Sequence, residues 1–163
     1  MRRLGLVAGT AAFAVDQGAK AWALGALWPP YQVVVPVLPV LDLRLGFNTG
    51  VSFGMFAGSA AWLLVLVKLG IAAALAIWLW RAASRAEAVA LGLVIGGALG
   101  NILDRVRAGA VVDFLDLHYA GWRWPTFNMA DVAIVCGVAL LLLAGLRPPR
   151  RGAHEHGSTR GTP

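Results

Sequence analysis

Charged residues are scarce in this chain of 163 residues, where Asp, Glu, Lys and Arg together make up 13%. A soluble globular domain has about a quarter of its residues charged. Hydrophobic residues make up 59% of the sequence, which excludes an ordinary soluble domain and indicates an integral membrane protein. The net charge is +6, but the arginines lie beside apolar stretches instead of forming one patch, so we predict no nucleic-acid partner.

Cysteine and histidine are almost absent. The single cysteine, Cys136, lies in the apolar run VAIVCGVALLLLAGL, excludes an internal disulfide and is interpreted as a small core residue. His118 is the only histidine before the C-terminal tail, so the sequence offers no serine–histidine pair and no zinc ligand set. We interpret His154 and His156 in the tail as solvated residues, and we expect no metal and no cofactor.

Long apolar stretches are abundant, and each is long enough to cross about 30 Å of hydrocarbon as a helix. They lie at about 4–27, 61–80, 87–104 and 129–146. The first contains Asp16 and Lys20, which are four residues apart and can offset each other's charge. Its beginning also fits a secretory signal peptide with Ala12-Phe13-Ala14 before the cleavage site, but we favour an uncleaved helix because three later helices can pack against it.

Four spans place both ends of the chain on one side of the membrane. The arginines that flank the spans on that side are Arg2, Arg3, Arg81, Arg85, Arg147, Arg150 and Arg151. The positive-inside rule makes that side the cytoplasm. We therefore predict one domain over 1–146 and, because it is rich in Pro, Gly and Arg, a disordered cytoplasmic tail over 147–163.

The two remaining segments face outward in this arrangement. Residues 28–58 are rich in valine, alternate in polarity around 41–45 and contain the turn signal Asn48-Thr49-Gly50, which predicts short strands or a hairpin. Residues 106–127 form a second outer loop, with Trp122 and Trp124 placed as interfacial anchors. The predicted fold is an all-α membrane protein with four transmembrane helices and a small β-hairpin or cradle between the first two.

Polar residues from distant parts of the sequence collect at the outer side. They are Asp16, Lys20, Asn48, Asn101, Asp104, Arg105, Asp113, Asn128 and Asp131. Asn128 and Asp131 also fit a helix N-cap and capping box, and Asp104 and Arg105 also fit markers of the water interface. Asp113 lies among apolar neighbours with no local charge or cap to explain it, which is costly at a membrane surface.

Two carboxylates at a low-dielectric boundary suggest a specific chemistry. Because like charges a few ångströms apart do not both ionise, one carboxyl keeps a proton while the other can accept one. Such a pair can activate a water molecule and protonate a leaving amine. The residues alone therefore predict an aspartate-dependent hydrolase at the outer face.

Four segments resemble the ordered motifs of the lipoprotein signal peptidase family, also called signal peptidase II. They are DQGAK (16–20), FNTGVSFGMF (47–56), GGALGNILDRVRAGAVVDF (96–114) and FNMADV (127–132), and the resemblance covers about residues 4–146. It implies a four-helix aspartic peptidase of the bacterial inner membrane, with a small outer β-cradle and its active site near the outer face. Such an enzyme removes signal peptides from diacylglyceryl-modified prolipoproteins, cutting just before the lipid-modified cysteine.

The resemblance also implies roles for individual residues. Asp113 and Asp131 would be the catalytic dyad, and Asp16 and Lys20 would have supporting roles. Four further residues would line the site and bind substrate backbone or orient the carboxylates: Asn48, Asn101, Arg105 and Asn128. Ala19 departs from the family pattern by lacking a hydroxyl, and the reason for Lys68 within the second span is open.

Two other interpretations remain at this point. A small multi-span transporter or proton channel also uses carboxylates within the membrane, but its relay should continue across the bilayer, whereas the polar cluster here is one-sided. A purely structural membrane anchor leaves Asp113 without a purpose. The partners expected of the favoured interpretation are lipid-modified prolipoproteins and membrane lipids.

Overall fold

The structure is a computed structural model that describes residues 1–28, 33–50 and 59–146, without the side chains of 59–64. Its four helices are α1 (Arg2–Leu27), α2 (Ser59–Trp80), α3 (Arg85–Ala108) and α4 (Met129–Gly145). Its four strands are β1 (Val34–Leu38), β2 (Leu41–Asn48), β3 (Val111–Tyr119) and β4 (Trp122–Arg123). The predicted tail, 147–163, and parts of the predicted outer segment 28–58 lie outside the described residues.

Helix α3 is the central element of the bundle and packs against the other three helices. Ser84 caps its beginning, where the hydroxyl accepts a hydrogen bond from the Glu87 amide at 3.1 Å. Gly109 ends it in the left-handed conformation with φ 72°, which a residue without a Cβ adopts freely. All four predicted helices are present in the described part of the chain, and α3 extends four residues beyond its predicted end at 104.

Within the described residues, α3 is the one helix long and apolar enough to meet a simple criterion for crossing a membrane. The apolar helical segments Val65–Trp80 and Met129–Gly145 are shorter. Large apolar side chains on the outside of the bundle are nevertheless well exposed, among them Val7, Leu66, Val135 and Leu142. Such a surface fits contact with lipid better than contact with water.

The predicted outer loop over 106–127 is wrong in part, because half of its residues form strands and its first three belong to α3. The strands make one antiparallel sheet in the order β1-β2-β3-β4, in which β2 pairs with β3. Strands β1 and β2 come from the α1–α2 connection, whereas β3 and β4 come from the α3–α4 connection. The sheet is therefore shared between two connections, and the all-α description with one local hairpin was incomplete.

Prolines and residues with positive φ lie at the edge strand and in the turns of this sheet. Pro36 lies in the edge strand β1, where a missing N–H is tolerated, and Pro39 begins the β1–β2 turn. The β3–β4 hairpin turns through Ala120 and Gly121, which both have positive φ. The inner part of the sheet packs on α1 through Leu27, Leu45 and Phe114, which fixes β3 against the helices.

Candidate active site

Residues that the sequence singled out converge where α1, α3 and α4 meet the beginning of β3. They come from α1 (Asp16, Lys20), β2 (Asn48), α3 (Asn101, Arg105), β3 (Asp113) and the start of α4 (Asn128, Asp131). Each is connected to another member by a hydrogen bond, an ion pair or an electrostatic interaction. The geometry of these connections determines which atoms remain available for chemistry.

Asp113 is a buried carboxylate on strand β3, with an exposed fraction of 2%. Its Oδ1 accepts a hydrogen bond from Asn128 Nδ2 at 2.6 Å, and the Asn48 side chain provides a second hydrogen bond. Burial raises the pKa of the Asp113 carboxyl above its ordinary value of 3.8, and the nearby charge of Asp131 adds to this, while the two asparagines act in the opposite direction. Asp113 is therefore suited to hold a proton.

Asp131 lies in the first turn of α4 and is half-buried. The backbone N–H of Asn128 donates to Asp131 Oδ2 at 3.3 Å, and the backbone N–H of Asp131 donates to Asn128 Oδ1 at 3.1 Å. The predicted capping box is thus confirmed. Asp131 Oδ1 also accepts a hydrogen bond from Asn101 Nδ2 at 2.9 Å.

The orientations of the two asparagine amides follow from their other partners. Asn128 Oδ1 must face the Asp131 backbone N–H, so Asn128 Nδ2 is turned toward Asp113. Asn101 Oδ1 accepts a hydrogen bond from Lys20 Nζ at 2.9 Å, and an ammonium group can only donate. Asn101 Nδ2 is consequently turned toward Asp131, and the two amides connect the two carboxylates.

Lys20 is only 3% exposed and is held between two carboxylates. Its Nζ lies 2.8 Å from Asp16 Oδ2 and 2.8 Å from Asp104 Oδ2. Asp16 Oδ1 in turn accepts a hydrogen bond from the Ala130 backbone N–H at 2.8 Å, which satisfies a donor at the beginning of α4. This cluster joins α1, α3 and α4 beneath the site, as the predicted offset of Asp16 by Lys20 implied.

Two residues of this cluster were missed or misread from the sequence. Asp104 is buried and paired with Lys20, so its interpretation as a marker of the water interface was wrong. Gln17, which was not among the predicted site residues, donates from Nε2 to Asp104 Oδ1 at 3.0 Å and to the Gly100 carbonyl at 3.3 Å. The spacing of Asn101 and Asp104 on one helix face was the available signal for Asp104.

Arg105 presents an unused donor beside the two aspartates. Its Nη1 donates to the Asn101 carbonyl at 3.2 Å, whereas its Nε is buried and has no hydrogen-bond partner among the described residues. Arg105 interacts electrostatically with Asp113 and Asp131. Lys68 on α2 is half-buried and has Arg105 and Asp131 as electrostatic neighbours, so the unexplained lysine of the second helix faces the same region.

An apolar groove of about 310 Å³ opens beside Asp131 on the outside of α4. Its walls are Leu117, Trp124, Phe127, Val132, Val135 and Cys136. Cys136 is exposed, so its interpretation as a core residue was wrong, because α4 directs this face outward. A carboxylate at the end of an apolar groove can act on a polar bond within a largely apolar ligand.

Chemically, the arrangement offers two carboxylates in different environments, joined by amides that hold them in place. Asp113 is buried with a raised pKa, and Asp131 is half-buried and borders the groove. Such a pair can accept a proton at one member and donate one at the other.

Comparisons with known proteins agree on a family. The sequence profile of signal peptidase (SPase) II matches residues 9–147. The lipoprotein signal peptidase of Methylorubrum extorquens is 45% identical over 156 residues, covering 91% of this chain and 89% of that protein. The lipoprotein signal peptidase of Rhodopseudomonas palustris is 46% identical over 151 residues, covering 88% and 92%.

The fold has a solved counterpart as well. A bacterial membrane enzyme determined by the in meso method at 1.9 Å resolution is 28% identical, with a TM-score of 0.76. The match covers 89% of this chain and 94% of that one. These findings give no support to the transporter interpretation, and they agree with the prediction of a membrane-embedded protease. The chain belongs to the signal peptidase II family.

Proposed function

We propose that this protein is an aspartic endopeptidase that removes signal peptides from diacylglyceryl-modified bacterial prolipoproteins, with Asp113 and Asp131 as its catalytic pair. The observation that carries the proposal is the amide connection between the two carboxylates. Asn128 donates to Asp113, and Asn101 donates to Asp131, each with an orientation fixed by a second partner. The 45% identity to a protein named lipoprotein signal peptidase supports the substrate class.

In the proposed reaction, Asp131 is the base and Asp113 is the acid. Asp131 accepts a proton from a water molecule, and the water oxygen attacks the scissile carbonyl carbon while Asp113 donates its proton to the carbonyl oxygen. The resulting diol then collapses: the C–N bond breaks, the amine takes the proton held by Asp131, and a diol proton returns to Asp113. The raised pKa of Asp113 supports this division, because the acid must stay protonated at working pH.

Arg105 and the groove beside Asp131 are suited to hold the substrate. The Nε of Arg105 is a buried donor that has no hydrogen-bond partner in the described part of the chain. A backbone carbonyl next to the scissile bond is the acceptor that a peptide substrate provides. The groove lined by Trp124, Val132 and Val135 can take apolar substrate parts, namely the signal-peptide side chains or an acyl chain. The substrate would then remain in lipid while its scissile bond reaches the carboxylates.

We further propose that all four helices cross the bacterial inner membrane, with both ends of the chain in the cytoplasm. The arginines at the start of α1, after the end of α2 and at the start of α3 support this orientation under the positive-inside rule. The aspartates lie at the opposite end of the bundle, which would be the outer face. Independence from metal and cofactor stays a prediction, since the proposed chemistry uses side chains and water alone.

The decisive experiment follows release of the signal peptide from a purified prolipoprotein by protein in detergent. We expect Asp113→Asn and Asp131→Asn each to lower turnover at least about a hundredfold. Both variants should remain folded, because an amide can replace each carboxylate as a hydrogen-bond acceptor. Glu87→Gln, which makes the same charge change in the first turn of α3 and away from the aspartates, is the control for altered charge. The unlipidated precursor is the control for lipid recognition. Near-normal turnover by either aspartate variant would contradict the assignment of the pair.

A further inference from the structure

The end of the bundle opposite the aspartates carries a cationic pocket of about 550 Å³ between α1 and α2. Its walls are formed by Met1, Arg2, Arg3, Trp80, Arg81 and Ala82. Arg2 is held in position, because its Nε donates to the Trp80 carbonyl at 3.0 Å and its guanidinium lies 4.7 Å from the centre of the Trp80 ring. The two Nη groups of Arg2 have no hydrogen-bond partner in the described ranges and can bind another group.

Among the described residues, no carboxylate neutralises the positive charge of this pocket. Arg3 and Arg81 are exposed and pair with no carboxylate among the described residues. Glu87, the acid in the first turn of α3, is engaged elsewhere: its carboxylate accepts hydrogen bonds from Trp78 Nε1 and the Ala83 backbone N–H, both at 2.7 Å. The first turn of α1 also lacks a side-chain cap and an acidic residue. An anion is therefore the complementary ligand.

An apolar groove of about 300 Å³ adjoins the pocket along the bundle. It lies between α1, α3 and the end of α2, and its members include Leu6, Phe13, Leu79, Ile95 and Leu99. Leu79 precedes Trp80 of the cationic pocket, and Leu6 lies about one helical turn from Arg3. The stretch of α1 from Gly5 to Phe13 spans about 12 Å, close to the hydrocarbon thickness of one leaflet.

From these two adjoining features we infer a binding site for one anionic phospholipid. Its phosphate lies among Arg2, Arg3 and Arg81, and one acyl chain lies in the groove between α1 and α3. Three cations in one pocket suit a phosphate better than a zwitterionic headgroup, whose own ammonium group would be repelled. The groove distinguishes a lipid from free phosphate, because only the lipid fills both parts. This site is remote from the aspartates and independent of the proposed chemistry.

The test measures lipid binding to the purified protein in neutral detergent by native mass spectrometry. Dioleoyl phosphatidylglycerol and dioleoyl phosphatidylcholine share their acyl chains and differ in charge, so their comparison isolates the headgroup. We expect phosphatidylglycerol to bind at least about tenfold more tightly, and the double variant Arg3→Gln/Arg81→Gln to remove that preference. The double variant Arg85→Gln/Arg107→Gln loses the same charge outside the pocket and should bind like the wild type.

A second pair of variants tests the groove. Thr10 lines it, whereas Val7 faces outward on the same helix with an exposed fraction of 66%. Thr10→Trp should weaken phosphatidylglycerol binding about tenfold, and Val7→Trp should leave it unchanged. Cleavage activity in detergent verifies that each variant is folded.

Three results would overturn the inference. Equal binding of the two lipids would exclude recognition of the anionic headgroup. Equal losses of phosphatidylglycerol affinity in the two arginine double variants would show that net charge, and not the pocket, determines binding. Displacement of phosphatidylglycerol by inorganic phosphate at a similar concentration would show a phosphate site without a lipid.

Discussion

At the scale of single residues, Asn128 combines two functions that the sequence presented as alternatives. Its side-chain oxygen caps α4 by accepting the Asp131 N–H, and this contact turns its Nδ2 toward Asp113. The cap therefore gives the amide the orientation that the site needs. Asn128 can be both a helix cap and a site residue, because its Oδ1 makes the cap and its Nδ2 contacts Asp113.

We predict that Asn128→Ser separates these functions. Serine caps a helix about as well as asparagine, but its hydroxyl is too short to replace the Nδ2 donor to Asp113. Losing that hydrogen bond should raise the pKa of Asp113 further, since burial then acts with less opposition. The alkaline limb of the kcat/KM profile, which reports deprotonation of the acid, should move to higher pH, and turnover at the optimum should fall about tenfold.

The raised pKa of Asp113 also determines how the free energy of unfolding depends on pH. The folded pKa of Asp113 lies above its unfolded value, so this carboxyl makes folding less favourable as pH rises through that range. The free energy of unfolding of Asn128→Ser should therefore be slightly below that of the wild type in acid and further below it at neutral pH. Asn128→Ala is the comparison variant, because it also loses the helix cap. Its free energy of unfolding should be about 1 kcal/mol lower than that of Asn128→Ser. A shift of the alkaline limb to lower pH would contradict the role given to Asn128.

At the scale of elements, glycines set the distance between α1 and α3. A Cβ on Gly96 would overlap the backbone carbonyl of Gly9, and one on Gly92 would overlap the carbonyl of Gly5. Gly100 similarly makes room for the carboxylate of Asp16. Close packing of α1 against α3 accounts for glycine at these positions. The contact matters for the site because α1 carries Lys20, which orients Asn101 of α3.

We predict that Gly96→Ala destabilises the protein by about 1–3 kcal/mol, because the added methyl group meets backbone atoms that cannot move without separating the helices. Turnover should fall as well, since separation loosens the contact between Lys20 and Asn101. Gly25→Ala in α1 is the matched control: no described atom lies within 4 Å of its added Cβ. This change should stabilise the helix by roughly 0.5–1 kcal/mol.

The free energies of unfolding of Gly96→Ala and Gly25→Ala are measured by titrating each variant in mixed micelles with a denaturing detergent. The cleavage assay gives their activities. If Gly96→Ala proved as stable and active as Gly25→Ala, the close contact of α1 and α3 would not be a requirement of the fold.

At the scale of the whole molecule, the sheet joins two connections that are distant in sequence. Asp42 of β2 lies directly opposite Asp116 of β3, and both carboxylates are buried. Arg123 of β4 lies between them and donates hydrogen bonds to both, while Arg44 Nε lies 3.0 Å from Asp116 Oδ2. Like charges directly opposite on paired strands are destabilising, so Arg123 keeps β2 and β3 paired.

We predict that Arg123→Gln destabilises the protein by about 1.5–3 kcal/mol, since the facing carboxylates lose the cation that they share. Adding Asp42→Asn should restore part of this loss, because it removes the repulsion that Arg123 had offset. Arg107→Gln, an exposed arginine at the end of α3, should change the free energy by less than about 0.5 kcal/mol. Unfolding free energies of the single and double variants form the cycle, and additive losses would exclude the proposed coupling.

The helices and the polar set were predictable because their signals are local. Apolar stretches of bilayer length locate α1 to α4, and the capping pattern at Asn128 and Asp131 marks the start of α4. The role of 106–127 was not predictable in the same way, since β3 pairs with β2, about 70 residues away. The burial of Asp104 and the contacts of Gln17 also depend on partners from other helices.

The sequence by itself determined that this is a membrane protein with four helices, and it named the polar residues that meet in one region. These properties follow from composition, helical length and the cost of placing a charge among apolar neighbours. Only the tertiary structure decided how the amides of Asn101 and Asn128 are turned, which carboxylates Lys20 joins, and that the sheet is built from two connections. The physical reason is that hydrogen bonds and strand pairs join residues that are far apart in the chain, so their geometry exists only after the elements have packed.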